Sequence, residues 1–339
     1  MKESEIIEIK NIKEVTQDVI EPEVYVSPFS KKISKKTRIK ETIIKYFFAL
    51  NGLAALVFIS LIFIFLFKEG MKAFEHIGII DFIYKLNQAP DGTAQTVFEW
   101  YPTSDEPRYS LIPLLFGTLI TAIPATIIST VFGVAAGIYL SEIATGKTKE
   151  ILKPAIELFA GIPTVVLGFF MLVVGATLFQ DIFNPPNRLN AFLGAVGLSI
   201  VIIPIIASLT EDALHSIPNE MRMAAYGLGA TKWQTVSRVI VPAAVSGVSA
   251  SVILGFGRAI GETMIVLMAS GNAANLVFDL FRSVRTMTAT IAAEMGEVSH
   301  QSDHYYALFF IGIVLFTVTF ILNLIAEIII NKMRKKIKF

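Results

Sequence analysis

The sequence predicts an all-α integral membrane protein, and three observations carry that prediction. Of its 339 residues 54% are hydrophobic and 17% charged, against about 25% charged in ordinary globular proteins. Mean hydropathy is +0.64. Six apolar runs, 46–67, 111–140, 155–179, 189–209, 240–269 and 305–330, reach the ~20 residues that a spanning helix requires.

Residues 1–45 form a polar N-terminal tail without an apolar core of the kind a secretory leader needs. Its first ~26 residues are expected to be weakly structured. The basic cluster Lys31-Lys32, Lys35-Lys36, Arg38 and Lys40 reads as the flank of the first span, not as a nucleic-acid site. The first and fourth spans are free of charge. The second and fifth exceed the bilayer thickness and are expected to tilt or project. Pro113, Pro124, Pro163 and Pro204 fall within spans, which predicts kinks supported by neighbouring helices. Gly133-x-x-x-Gly137, Gly257-x-x-x-Gly261 and the Gly161, Gly168, Gly175 series are candidates for close helix approach.

Lys and Arg set the orientation. With six spans both termini share one side, whose segments hold 21 Lys and Arg against seven in the opposite connections. Both termini and the 210–241 loop are therefore expected to be cytoplasmic, and 68–110 extracytoplasmic. In 68–110, Pro90-Asp91-Gly92 is a turn signal, and Trp100 and Tyr101 suit a membrane interface. Residues 111–330 make the core, and 331–339 a basic cytoplasmic tail.

The 210–241 loop is polar and helix-forming. Ser216 is a candidate cap and Pro218 a helix opener. Glu220 to Ala225 are good helix formers, and Gly227 and Gly229 end the helix. Thr231-x-x-Gln234 fits a capping box. Trp233, Val236, Val239 and Ile240 then give a second helix an apolar stripe.

Two charges fall inside the fifth span. Arg258 and Glu262 stand at i, i+4, which in a helix shares one face. An intramembrane charge costs at least ~2.5–3.5 kcal/mol on insertion scales, so the pair is expected to face a partner or a water-filled path. Glu157 is expected to pair with Lys153. Thr145-Gly146-Lys147-Thr148 ends like a phosphate-binding loop, but Ser141 stands where that loop requires glycine. The chain has no cysteine, which excludes disulfides and thiolate chemistry. His300 and His304, near Asp303, lack a third metal ligand and read as surface histidines.

Met223-Ala224-Ala225, Gly229 and Pro242 resemble the Glu-Ala-Ala loop of ABC-importer permeases, with Met223 where that family usually has Glu. Three stretches, 110–118, 257–264 and 286–297, further resemble the phosphate permeases of that superfamily, the PstC type. The resemblance implies a six-helix type I importer permease fold with cytoplasmic coupling helices. It implies a multi-pass protein of the plasma or inner membrane that is not itself an enzyme. Partners would be a PstA-type second permease, a PstB-type ATPase dimer and a PstS-type extracytoplasmic phosphate-binding protein. No cofactor would be bound by this chain, ATP and magnesium being used by the ATPase. Arg258 and Glu262 would line the phosphate pathway. Glu220, Met223, Ala224, Ala225, Gly229 and Pro242 would carry the ATPase contact, with charge supplied by Glu220 or a more apolar contact at Met223. A sulfate or molybdate permease shares the loop and the attraction to Arg258. An ion-coupled secondary transporter is disfavoured by the absence of a convincing internal repeat.

Overall fold

A computed structural model of the chain describes residues 35–88 and 94–337. The N-terminal tail up to residue 34, including Lys31 and Lys32, and the Pro90-Asp91-Gly92 turn lie outside the described residues. Among the described residues, five helices are long and apolar enough to cross a membrane, six when one bent pair counts as a single span.

Helix α1 covers Lys35–Met71 and so continues past both ends of the expected first span. From residue 62 onward the chain forms one compact unit. Helix α2, Ala73–His76, and a 3-10 turn, Ile79–Phe82, follow. Two antiparallel hairpins come next, β1 (Lys85–Gln88) with β2 (Ala94–Val97) and β3 (Trp100–Tyr101) with β4 (Arg108–Tyr109). These hairpins depart from the all-helical reading. The second hairpin belongs to a packed cap, whose core joins Phe82, Trp100 and Tyr109 to Leu114, Met287 and Tyr306.

Helix α3 is Ile112–Ile138, opened by Pro113 and closed by a π turn over Tyr139–Ile143. Helix α4 is Lys147–Ala160 and buries no residue. The third span then begins at α5, Thr164–Phe170, passes a π turn at Met171–Gly175 and continues as α6, Ala176–Phe183. Residues 155–160 thus belong to α4, not to the expected 155–179 span. The Gly161-Ile162-Pro163 break separates the two, and Pro163 sits in extended geometry at the entrance of α5 instead of kinking it.

Helix α7, Ala191–His215, is the most buried span, and α3 lies along it. A Cβ on Gly133 would meet Ile206 Cβ at 2.8 Å, and one on Gly137 the Ala207 carbonyl at 2.7 Å. Only glycine permits that approach, as the spacing predicts. Gly168 is likewise pressed against Met264 and Met268. Gly257 and Gly261 are not: the nearest atom to a Gly257 Cβ lies at 3.6 Å, and around Gly261 there is open space.

The loop after α7 folds as α8 (Asn219–Gly227), α9 (Lys232–Thr235), a π turn (Val236–Ile240) and the short α10 (Val241–Ala243). Helix α11, Val245–Gly261, leaves at 69° to the preceding helical segment. Then come α12 (Met264–Ala269), α13 (Met287–Glu294) and α14 (Asp303–Ile337). The last of these carries helix well into the expected basic tail.

Candidate functional site

The helical hairpin after α7 has the capping its sequence requires. Thr231 Oγ1 accepts from the Gln234 amide at 3.3 Å, and Gln234 Oε1 accepts from the Thr231 amide at 2.9 Å. Pro218, in extended geometry, occupies the cap position of α8, one residue before the first helical turn. Ser216 does not cap α8. It ends α7 and donates to the Ala213 carbonyl at 2.7 Å.

Of the expected contact residues, Glu220, Met223, Ala224 and Gly229 face outward, whereas Ala225 is buried. The predicted stripe on α9 divides. Val236 and Ile240 pack into the bundle, but Trp233 is 67% exposed. Met221, Met223, Tyr226, Leu228 and Trp233 together leave large apolar side chains uncovered at this end of the molecule. Surfaces of that kind mark interaction sites.

Two ion-pair groups that sequence reading missed fasten this region. Arg222 on α8 donates through Nη2 to Glu142 Oε1 at 2.7 Å and through Nε to Oε2 at 3.2 Å. Lys149 and Lys153 on α4 both reach the buried carboxylate of Glu211 on α7, at 2.9 and 2.6 Å. Lys153 therefore pairs with Glu211, and with Asp212 at 3.7 Å, not with Glu157. The bond to Glu211 holds the Lys153 ammonium above the usual lysine range. Both groups join residues far apart in sequence, which is why periodicity gave no sign of them.

The intramembrane pair is arranged differently from the expectation. Helix α11 ends at Gly261, and Glu262 is extended, so Arg258 and Glu262 do not share a helical face. Glu262 turns its carboxylate onto the next helix. Its Oε1 accepts from the amides of Thr263 and Met264 at 3.2 and 3.3 Å, at the start of α12. Amides at a helix start lack intrahelical acceptors, so a carboxylate there is favoured by hydrogen bonding and by the helix dipole. The Glu262 carbonyl accepts from Thr288 Oγ1 at 2.7 Å, and the Met287 amide donates to Thr118 Oγ1 at 3.1 Å. The break is thereby tied to α13 and α3. Arg258 stays exposed on α11, and among the described residues no ion pair joins it to Glu262.

At the opposite end, Glu294 gathers three partners. Its Oε1 takes Arg285 Nη1 at 2.6 Å, and its Oε2 takes Trp100 Nε1 at 2.9 Å and His304 Nε2 at 2.8 Å. Trp100 is fully buried, so it is a core residue of the cap and not an interfacial one. His304, expected at the surface, is also mostly buried, with its side chain 14% exposed. His300 precedes the start of α14, so the two histidines are not on one helix. Among the described residues there is no group of three metal-ligating side chains.

Residues 129–335 match the family described as the inner membrane component of binding-protein-dependent transport systems. A Bacillus subtilis protein named probable ABC transporter permease protein YqgH is 35% identical over 82% of this chain and 85% of its own. The phosphate transport system permease protein PstC of Haemophilus influenzae is 33% identical over 70% of this chain and 80% of its own. Among solved structures, a bacterial alginate ABC transporter chain aligns with a TM-score of 0.58 at 14% identity, covering 85% of this chain and 94% of that one. A chain of the MetNI methionine ABC transporter aligns with a TM-score of 0.54 at 19% identity, covering 66% and 95%. The fold is thus that of the type I importer permeases, and the apolar helices are membrane spans. The chain belongs to the family of inner membrane components of binding-protein-dependent transport systems, and within it to the PstC-type permeases.

Proposed function

We propose that the chain is one of two permease subunits of an ATP-driven importer of inorganic phosphate. The observation that carries this reading is the pinned, outward-facing helical hairpin at 219–240, in a chain with 32–33% identity to proteins named as PstC phosphate permeases. The hairpin lies on the cytoplasmic side, as the Lys and Arg distribution favours, and docks a PstB-type ATPase dimer. The ATPase binds ATP and magnesium; this chain holds no cofactor. A PstA-type subunit completes the pathway, and a PstS-type binding protein delivers phosphate from outside.

Arg258, exposed on α11, faces that shared pathway and attracts the anion. Glu262 acts beside it as the residue that sets the helix break, since its carboxylate caps α12. The ATPase contact is more apolar than is usual in this superfamily, because Met223 projects where the family usually has Glu and Trp233 adds a second exposed apolar side chain. Ala224, Gly229 and Pro242 set the hairpin's shape around them.

The test is uptake of labelled phosphate at low external concentration, in cells lacking the chain and in cells with it restored, beside sulfate and molybdate. Loss of phosphate uptake alone, recovered on restoration, supports the reading. A deficit in another oxyanion replaces the substrate. Arg258→Gln should abolish uptake while the chain still inserts and retains the ATPase; normal uptake by that variant removes Arg258 from the pathway.

A further inference from the structure

We propose that Glu142 and Arg222 are a positioning pair that carries movement of the coupling hairpin into the membrane spans. The proposal rests on the permease reading above. Helix α8 has little else to hold it: Ala225 is its one buried residue. Arg222, near its middle, makes the attachment instead. Its Nη2 and Nε bind Glu142 in the π turn that closes α3, Nη1 donates to the Ile217 carbonyl at 2.7 Å, and Nη2 also donates to the Leu214 carbonyl at 3.0 Å. One guanidinium therefore ties α8 to the end of α3, to the last turn of α7 and to the connection between α7 and α8.

The chemistry suits a mechanical link. A forked guanidinium on a carboxylate fixes orientation as well as distance. The Arg222 and Glu142 side chains are 16% and 8% exposed, so the pair is only weakly screened by solvent. The carbonyls of Leu214 and Ile217 lie at and just beyond the end of α7, where a cation is favoured. Beyond the link, α3 and α7 are locked side by side at Gly133 and Gly137. A displaced α8 pulls on both spans, on α3 through Glu142 and on the end of α7 through the two carbonyls. Without Glu142, α8 keeps its bonds to Leu214 and Ile217 and the capping box of α9, but loses its hold on α3.

The test uses the full reconstituted complex of both permease subunits, the ATPase and the binding protein, with phosphate transported per ATP hydrolysed as the readout. Glu142→Gln should retain the ATPase through purification and keep hydrolysis stimulated by the binding protein, while phosphate moved per ATP falls about tenfold, within the range of ordinary coupling energies. Arg222→Lys, which keeps the charge but not the fork, should fall between the two. A Glu142→Gln complex with the wild-type ratio overturns the proposal. So does one that loses the ATPase, because the pair then only folds the hairpin. Sulfate is run in parallel: if the wild-type complex moves sulfate and not phosphate, the substrate reading fails, and ions moved per ATP still decide the link.

Discussion

The chain's two tryptophans have opposite fates at the two ends of the bundle. Trp100 is fully buried in the cap, while Trp233 on the helical hairpin after α7 is 67% exposed. A buried indole needs a partner for its N–H, and Glu294 provides one at 2.9 Å. At the cap end, polar groups are consumed internally: Arg285, His304 and Trp100 all converge on one carboxylate. At the hairpin end, Met223, Leu228 and Trp233 stay uncovered, and the charges are spent on fastening the hairpin from behind. The difference separates an indole whose polar atom is satisfied inside the chain from one left uncovered among other apolar side chains.

The contrast is broken most directly by Glu294→Leu. It removes the shared acceptor and leaves Arg285, Trp100 Nε1 and His304 without their partner. Loss of one member of a partly buried charged network costs about 3 kcal/mol. The expected outcome is a clearly lower thermal unfolding midpoint for the purified chain; an unchanged midpoint would mean that the cap does not depend on this network.

Trp233→Ala sharpens the same contrast from the other side. An exposed side chain outside any special feature shifts stability by no more than about 0.5 kcal/mol. An aromatic at the centre of an interface is worth about 2 kcal/mol or more, some thirtyfold in affinity. The expected result is an unchanged unfolding midpoint with weakened retention of the ATPase during purification. Full retention would leave the exposed indole without a partner of this kind.

Much of this was legible in sequence, for identifiable reasons. Continuous apolar runs located α1, α3, α7 and α14 because twenty apolar residues have few other fates in a chain this hydrophobic. The capping box at Thr231 and the small-residue contact at Gly133 and Gly137 are local patterns with local causes, and both are present. Direction was not legible. The polar triplet Gly261-Glu262-Thr263 sits inside a longer apolar run, and its charge reads as part of a continuous helix, so the turn that ends α11 and separates Arg258 from Glu262 is missed. Helix α4 was merged with the third span because its apolar face continues into the span beyond Pro163. Glu142 with Arg222, and Glu211 with Lys149 and Lys153, join residues tens of positions apart, and single-sequence periodicity carries nothing about such pairs.

Two glycines two residues apart allow the finest test of what shapes the hairpin. Gly229 has φ +82°, and the Ala230 amide bonds the Ala225 carbonyl at 3.1 Å while the Gly229 amide bonds that of Tyr226 at 2.9 Å. This is a Schellman turn with glycine at its left-handed position. Gly227 is the last residue of α8 and carries no such constraint. A Cβ would meet nothing within 4 Å at either site, so steric crowding cannot distinguish them. Backbone conformation does. Gly229→Ala should cost about 1–2 kcal/mol through the left-handed conformation, whereas Gly227→Ala should be neutral or stabilise by roughly 0.5–1 kcal/mol as a helical alanine. The angle between α8 and α9 depends on that turn. Retention of the ATPase should therefore weaken in Gly229→Ala and hold in Gly227→Ala; equal behaviour of the two variants would show that the left-handed turn does not set the docking surface.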